Sequence, residues 1–186
     1  MKSNVQIAGH PIHPIIVPIA IGAIVASLIF NFAMLGSGNS VWFVMSFWTL
    51  LVGLCATVFS ALTGITDYFT LHMSHQARQQ ATIHFALNVT WLTILTASLV
   101  IKSFYALDGV GLVATWAIIA SFVLDVVGIL LLLASGWYGG EVVYRHGVGV
   151  MDEAADEVRY PQAIGRTAEM GALGGERPPD QDIHEE

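Results

Sequence analysis

The chain has 186 residues, of which 55% are hydrophobic and only 11% are charged. Soluble globular domains usually carry about 25% charged residues, so this composition argues against a soluble domain and indicates an integral membrane protein. The net charge of −7 arises in residues 151–186, because acidic and basic side chains balance over residues 1–150. An acidic tail disfavours nucleic acid and anionic lipid headgroups as partners.

Four long apolar runs follow one another, each near the roughly 20 residues that a helix needs to cross a bilayer. They predict spans at residues 14–35, 41–63, 81–104 and 110–138. The expected fold is all-α: a four-helix transmembrane bundle over residues 1–150, with both termini on the same side. An acidic, largely disordered tail is expected over residues 151–186. A soluble helical core is the weaker alternative, since so short a chain could not cover four such helices with polar surface.

Two prolines mark the start of the first span. If Pro14 and Pro18 were both helical, the ring of Pro18 would clash with the carbonyl of Pro14. The helix is therefore expected to start near Pro18 or to kink there. Because the residue before a proline favours extended geometry, His10 and His13 are expected on an extended segment ahead of the helix.

Histidines stand out among the polar residues that flank the spans. Since successive spans alternate in direction, the starts of spans one and three and the ends of spans two and four face the same side. The histidines expected at that end are His10, His13, His72, His75, His84 and His146. His72 and His75 fall in a polar loop and are expected to be solvated. Imidazole is a common ligand of metal ions and heme iron, so we expect a functional site at this end.

The third span carries a polar pair on one helix face. His84 and Asn88 lie four residues apart, and Trp91 and Leu95 continue the same stripe. A polar pair one or two turns into hydrocarbon is expected to face the bundle interior. The simpler alternative is a hydrogen bond between helices without any ligand.

Asp125 lies in the middle of the fourth span, where a charge costs at least about 2.5–3.5 kcal/mol on insertion scales. No lysine or arginine of the spans is expected to reach that depth. Asp125 is therefore expected to be neutral, or hydrogen-bonded to hydroxyls of neighbouring helices such as those of Thr57 or Thr96. A proton relay through Asp125 is the alternative to a neutral packing acid.

The fourth span is expected to continue beyond the bilayer. Glu141 and Arg145 are spaced for an ion pair along a helix, and Gly147 suits the left-handed position that ends one. The alternative is that the helix ends at residues 139–140.

The basic residues that flank the spans predict the orientation. The histidine side carries Lys2, Arg78 and Arg145, whereas the other side carries Lys102 alone. By the positive-inside tendency, both termini are expected in the cytoplasm, with the protein in the cytoplasmic membrane of a prokaryote.

Several motifs carry a family resemblance. They are Gly9-His10-Pro11-Ile12-His13-Pro14, Gly64-Ile65-Thr66-Asp67-Tyr68, His84 with Asn88, Ser135-Gly136-Trp137-Tyr138-Gly139-Gly140-Glu141 and Val143-Tyr144-Arg145-His146-Gly147-Val148-Gly149-Val150. Over residues 8–150 the chain resembles the prokaryotic membrane family called domain of unknown function 2231. Members resemble four-span bundles, and some are fused to a Rieske iron–sulfur domain, which implies redox function by association. Where the family often has an acid late in the first span, this chain has Asn31, so the resemblance implies no proton-carrying role there.

The leading hypothesis is a redox membrane protein that binds a b-type heme. Two imidazoles can hold heme iron from opposite faces across a bundle. The expected ligands are His84 and one of His13, His10 or His146. A transition-metal ion held by three histidines with Glu141 is a second hypothesis. The side chains expected to support the ligands are Asn88, Asp67, Glu141 and Arg145.

The rival hypotheses need no cofactor. One is a transporter of protons or a small solute, with Asp125 and His84 on the path. The other is a structural or assembly partner whose histidines only hydrogen-bond between helices. No nucleophile motif, phosphate-binding loop or dinucleotide fingerprint supports hydrolase or kinase chemistry, and the sequence does not decide whether the protein is an enzyme. The expected partners are the lipid bilayer, a membrane or soluble redox protein, and a second copy of the chain.

Overall fold

A computed structural model describes residues 3–107 and 112–149. Its four long helices are all long and apolar enough to cross a membrane. They are α1 (Ile12–Ser37), α2 (Val41–Thr70), α3 (His75–Ala106) and α4 (Thr115–Gly140). The predicted all-α membrane bundle is therefore confirmed. The segment 151–186 lies outside the described residues, so its disorder stays a prediction.

The helices extend beyond the predicted spans at the histidine end, defined here as the end where α1 and α3 begin and α2 and α4 end. The α2 helix continues to Thr70, and α3 already begins at His75. Ser74 caps α3, since its Oγ accepts a hydrogen bond from the Ala77 N–H at 3.2 Å, which satisfies one free donor of the first turn. Apolar runs locate hydrocarbon crossings, whereas capping residues set the helix ends.

The start of α1 differs from the prediction. The helix begins at Ile12, so Pro18 lies inside it and His13 belongs to the helix rather than to an extended segment. Pro14 is the third helical residue, where the N–H has no partner within the helix, so proline forfeits no hydrogen bond there. His10 does lie in extended backbone, as predicted.

A small antiparallel β-hairpin precedes α1. It pairs β1 (Gln6–Ile7) with β2 (His10–Pro11). Ala8 and Gly9 both have positive φ, 49° and 83°, as in the two-residue turns that match strand twist. Beyond it, the Ser3 N–H donates to the Gly149 carbonyl at 3.2 Å. Both ends of the described bundle thus lie at the histidine end, which confirms the predicted topology.

The helices form two hairpins, since α1 packs mainly on α2 and α3 mainly on α4. The first hairpin is α1–α2, and the second is α3–α4. Their buried apolar core consists of Ile24, Leu50, Leu54, Trp91, Leu95, Ile129 and Leu132. Large apolar side chains such as Phe32, Trp48 and Phe59 remain exposed on the outer faces, as expected of helices that face lipid.

The second hairpin repeats a serine contact of the first. Ser27 Oγ donates to the carbonyl of Ser46 at 2.9 Å, and Ser98 Oγ lies 3.3 Å from the carbonyl of Ser121. All four serines are buried. The same type of contact therefore joins α1 to α2 and α3 to α4.

A close approach of the helices repeats with the same sequence offsets. A Cβ on Gly53 would come within 2.7 Å of Ile24, and one on Gly128 within 2.5 Å of Leu95. Leu95 follows Ile24 in the chain by the same number of residues as Ser98 follows Ser27. Likewise, Gly128 follows Gly53 by the same number of residues as Ser121 follows Ser46. The two hairpins are thus an internal repeat, which was not predicted from the sequence.

Candidate functional site

The ring of His13 packs against α2 near the histidine end. Its Nδ1 lies 2.9 Å from the backbone oxygen of Ser60 and 3.0 Å from the Ser60 hydroxyl. One turn further along α2, a Cβ on Gly64 would come within 3.1 Å of the imidazole ring. The hydrogen bond to Ser60 fixes the ring, and the missing side chain at Gly64 makes room for it.

The ring of His84 makes the equivalent contacts with α4. Its Nδ1 lies 2.8 Å from the backbone oxygen of Ser135 and 3.1 Å from the Ser135 hydroxyl. A Cβ on Gly139 would come within 2.8 Å of the ring, closer than real Cβ contacts allow. The prediction that His84 faces the interior is confirmed.

The two histidines are counterparts in the internal repeat. The offset from His13 to His84 is the one that relates Ser27 to Ser98, and Ser60 stands to Ser135 as Ser46 stands to Ser121. The structure therefore places these two predicted ligands in matching settings, one in each hairpin.

The hydrogen bonds fix which ring nitrogen carries the proton. A backbone carbonyl only accepts, so in the neutral imidazoles of His13 and His84 the hydrogen is on Nδ1. The lone pair is then on Nε2. This is the state of a histidine prepared to bind a metal, with its outer N–H held by an acceptor.

The predicted stripe on α3 is a chain of hydrogen bonds. The Trp91 Nε1–H donates to Asn88 Oδ1 at 2.8 Å, and Asn88 Nδ2 lies 2.9 Å from His84 Nε2. Trp91 and Leu95 are buried. Asn88 thus contacts His84 at Nε2, the ring nitrogen that faces away from Ser135.

The other histidines are arranged differently. His10 is exposed and its Nδ1 lies 3.1 Å from the carbonyl of Ala8. His72 and His75 are exposed, as predicted. His146 is half-buried, and its ring makes no hydrogen bond to another described residue. Within the described residues, no hydrogen bond joins His13, His84 and His146 to one another, so a site shared by these histidines stays a prediction.

The metal-ion hypothesis finds no support in the geometry. Within residues 3–107 and 112–149, no three His, Cys, Asp or Glu side chains are grouped to hold a metal ion. Glu141 instead accepts from Arg145 Nη1 at 2.8 Å, the ion pair expected from their spacing. Gly147 follows with φ 62° and its N–H donates to the Val143 carbonyl at 3.0 Å. The extension of α4 is confirmed, as a π-helical turn over Glu141–Arg145.

Asp67 does not support a histidine, contrary to expectation. Its Oδ2 accepts from Ser3 Oγ at 2.6 Å, and its Oδ1 accepts from the Asn4 N–H at 3.1 Å. Because α2 runs on to Thr70, Asp67 lies within the helix, where the N-terminal segment crosses it. Its role is to fasten that segment to the bundle.

The expectation that no cation reaches Asp125 is wrong. Lys102 Nζ lies 2.6 Å from Asp125 Oδ2, with the two side chains 0% and 1% exposed. A side chain on a helix leans toward the helix N-terminus. Lys102 therefore leans toward the membrane centre. Asp125 lies on the antiparallel α4 and leans in the opposite direction, toward Lys102. The prediction counted Lys102 among the basic residues that flank the spans, although it lies within the predicted third span.

The ion pair is the centre of a buried network that joins all four helices. The ammonium of Lys102 donates to Ser27 Oγ at 3.1 Å and to Ser46 Oγ at 2.8 Å, besides the carboxylate. The carboxylate also accepts from Ser98 Oγ at 2.6 Å and from Asn31 Nδ2 at 2.7 Å. Thr57 and Thr96, the expected partners of Asp125, instead donate to carbonyls of their own helices. We call these six residues the ion-pair network: Ser27, Asn31, Ser46, Ser98, Lys102 and Asp125.

The ion-pair network satisfies both charges. All three ammonium hydrogens of Lys102 have an acceptor, and both oxygens of Asp125 have donors, which is what a buried charge pair requires to be tolerated. Within the described part of the chain, Asn31 Oδ1 is buried without a hydrogen-bond partner. The network therefore holds the bundle together and could take one further donor at Asn31.

Comparison with known proteins identifies the family. The model of the family described as predicted membrane protein (DUF2231) matches residues 9–152, most of the chain. No curated protein and no solved structure matches the chain significantly. The chain belongs to the DUF2231 family of predicted membrane proteins, in agreement with its four candidate spans.

Proposed function

We propose that this membrane protein binds a b-type heme, which His13 and His84 would hold, and transfers electrons. One observation carries the proposal: the two imidazoles make matching contacts in the two halves of an internal repeat. Each Nδ1 is held by a backbone carbonyl of the neighbouring helix, at 2.9 Å and 2.8 Å. Two equivalent ligands from two like hairpins suit a cofactor that needs one on each face.

The donor set fits heme better than a bare metal ion. Heme iron needs only two protein ligands, whereas a structural or catalytic metal ion needs three or four. His13 and His84 supply two, and the described residues show no larger group. When bound, heme supplies reversible one-electron chemistry; the protein orients its two imidazoles and keeps their Nδ1 hydrogens engaged.

We propose that both termini are cytoplasmic and that the protein lies in the cytoplasmic membrane of a prokaryote. Lys102, the one basic residue assigned to the opposite side, is buried in the ion-pair network and no longer counts there. The remaining flanking basic residues are all at the histidine end, which strengthens the positive-inside argument. A membrane or soluble redox protein would then be the electron partner, and it would approach this end.

Homo-oligomer formation is a further part of the proposal. Gly136 lies on α4 with no heavy atom within 4 Å of a Cβ placed there, so this stretch of the helix is open. With Gly140 one turn on, it forms a pair of small residues that lets another helix approach closely.

A proton path through Asp125 has less support. Both carboxylate oxygens are occupied by donors, and the partner ammonium is itself saturated. A group that carries protons must exchange partners, and every exchange here would leave a buried charge without compensation.

Heme content tests the proposal. The full chain is purified from a host supplied with heme precursor, titrated with hemin, and assayed for heme per chain. Wild type should bind one heme, and His13→Ala and His84→Ala should each lose most of it. His72→Ala and His75→Ala are matched controls, since both residues are exposed at the same end. Wild type without heme after titration, or full heme in His84→Ala, would contradict the proposal.

A further inference from the structure

We propose that Asn88 competes with the iron for Nε2 of His84, so that His13 is the permanent ligand and His84 the exchangeable one. The inference rests on the proposed heme function. It makes Asn88 a positioning residue that opens one coordination position, to which a small neutral ligand such as carbon monoxide could bind.

The hydrogen-bond chain on α3 has only one consistent direction. The indole N–H of Trp91 can only donate, so the atom of Asn88 that faces it must be Oδ1. The amide NH2 of Asn88 then faces His84, where Nε2 carries a lone pair because Nδ1 donates to the Ser135 carbonyl. Asn88 Nδ2 therefore donates to the very lone pair that a heme iron would need.

The internal repeat shows that this competitor exists on one side only. Val17 is the counterpart of Asn88 in the repeat, since Asn88 follows Val17 by the same number of residues as His84 follows His13. Valine has no donor, and Nε2 of His13 makes no hydrogen bond to any residue in 3–107 or 112–149. The two imidazoles make equivalent contacts through Nδ1 but differ at Nε2. The Nε2 lone pair of His13 is open, whereas that of His84 accepts a hydrogen bond.

Asn88 can release His84 without losing its other partners. Its Nδ2 also lies 2.9 Å from the backbone oxygen of His84, and its Oδ1 keeps the bond to Trp91. A small rotation is therefore enough to free Nε2 of His84, at the loss of one hydrogen bond. Since such bonds within membranes are weak on average, His84 would be a slightly weaker ligand than His13.

The first test uses the heme-free protein. Imidazole nitrogen NMR of 15N-histidine-labelled full-length protein should show a hydrogen-bonded Nε2 in His84 and an open Nε2 in His13. In Asn88→Val, which copies Val17, the His84 Nε2 signal should move to the position of the His13 signal. An unchanged His84 signal would overturn the inference, whether or not heme binds.

The second test uses the heme-loaded protein. The ratio of five-coordinate to six-coordinate heme is measured by optical and electron paramagnetic resonance spectra, and the rate of carbon monoxide binding is measured on the reduced protein. Asn88→Val should lower that ratio and slow carbon monoxide binding by about threefold, the factor equivalent to an average membrane hydrogen bond.

A second variant guards against misfolding of Asn88→Val. Trp91→Phe keeps an aromatic side chain but removes the N–H that orients the amide, so it should move the ratio in the same direction by a smaller amount. Heme present with an unchanged ratio in both variants would overturn this inference alone. Absence of heme from wild type and variants would overturn the proposed function, and this inference with it.

Discussion

Lys102 and Asp125 form a 2.6 Å ion pair inside the bundle, although one lies near the end of α3 and the other in the middle of α4. In the internal repeat, Asn31 is the counterpart of Lys102 and Leu50 that of Asp125. The first hairpin thus carries no charge at the positions where the second carries two. The pair breaks the symmetry of the repeat, and Asn31 joins it from the first hairpin.

Removing one partner of this pair should strongly destabilise the bundle. Lys102→Met leaves Asp125 without its cation, and such an uncompensated buried charge costs about 3–5 kcal/mol. The free energy of unfolding in detergent, measured by denaturant titration with circular dichroism, should fall by that order.

The double variant Lys102→Met/Asp125→Leu is the control. It removes both charges and places at position 125 the residue that its counterpart already has. Replacing a whole buried ion pair with apolar groups is often neutral or stabilising, so most of the lost stability should return. A double variant as unstable as Lys102→Met would show that the serines and Asn31 require the charges.

The packing of the His84 ring against α4 should not tolerate a side chain at Gly139. In Gly139→Ala the new Cβ would lie 2.8 Å from the ring, and overpacking of this kind typically costs about 1–3 kcal/mol. Heme content and stability should both fall. Gly64→Ala, with a 3.1 Å approach to His13, should have a smaller effect, and Gly22→Ala none, since nothing lies within 4 Å. Equal effects of Gly139→Ala and Gly22→Ala would contradict close packing of the His84 ring on Gly139.

The spans were predictable because hydrocarbon imposes a length and composition that a sequence displays directly. The site was half predictable: alternation of the spans put His13 and His84 at one end, but could not distinguish them from His146. What distinguishes them is their contact with Ser60 and Ser135, which depends on how helices pack. A comparison of the two halves could have found it, since histidine, then serine, then glycine recur in both with consistent spacing.

Asp67 should matter for the N-terminal segment rather than for heme. Asp67→Ala removes the acceptors of Ser3 Oγ and of the Asn4 N–H. Amide hydrogen exchange of Asn4 should become faster, while heme content stays near that of wild type. Loss of heme in this variant would show that the segment, or Asp67 itself, helps to hold the ligands.

The orientation is tested by reporter fusions. A reporter that is active only in the cytoplasm should be active at the C-terminus and inactive in the loop between α1 and α2, at residues 38–40. The reason is the concentration of flanking basic residues at the histidine end. The reverse pattern would place the histidines on the outer side and exclude a cytoplasmic electron partner.

A spectroelectrochemical titration of the purified full-length protein tests whether His13 and His84 hold a redox-active heme. Hemin-titrated wild type should show a Soret band with split visible bands on reduction, which appear and disappear reversibly as a one-electron couple and are absent from the double variant His13→Ala/His84→Ala. Absence of these bands from wild type, or the same bands and the same couple in the double variant, would contradict heme binding by this histidine pair.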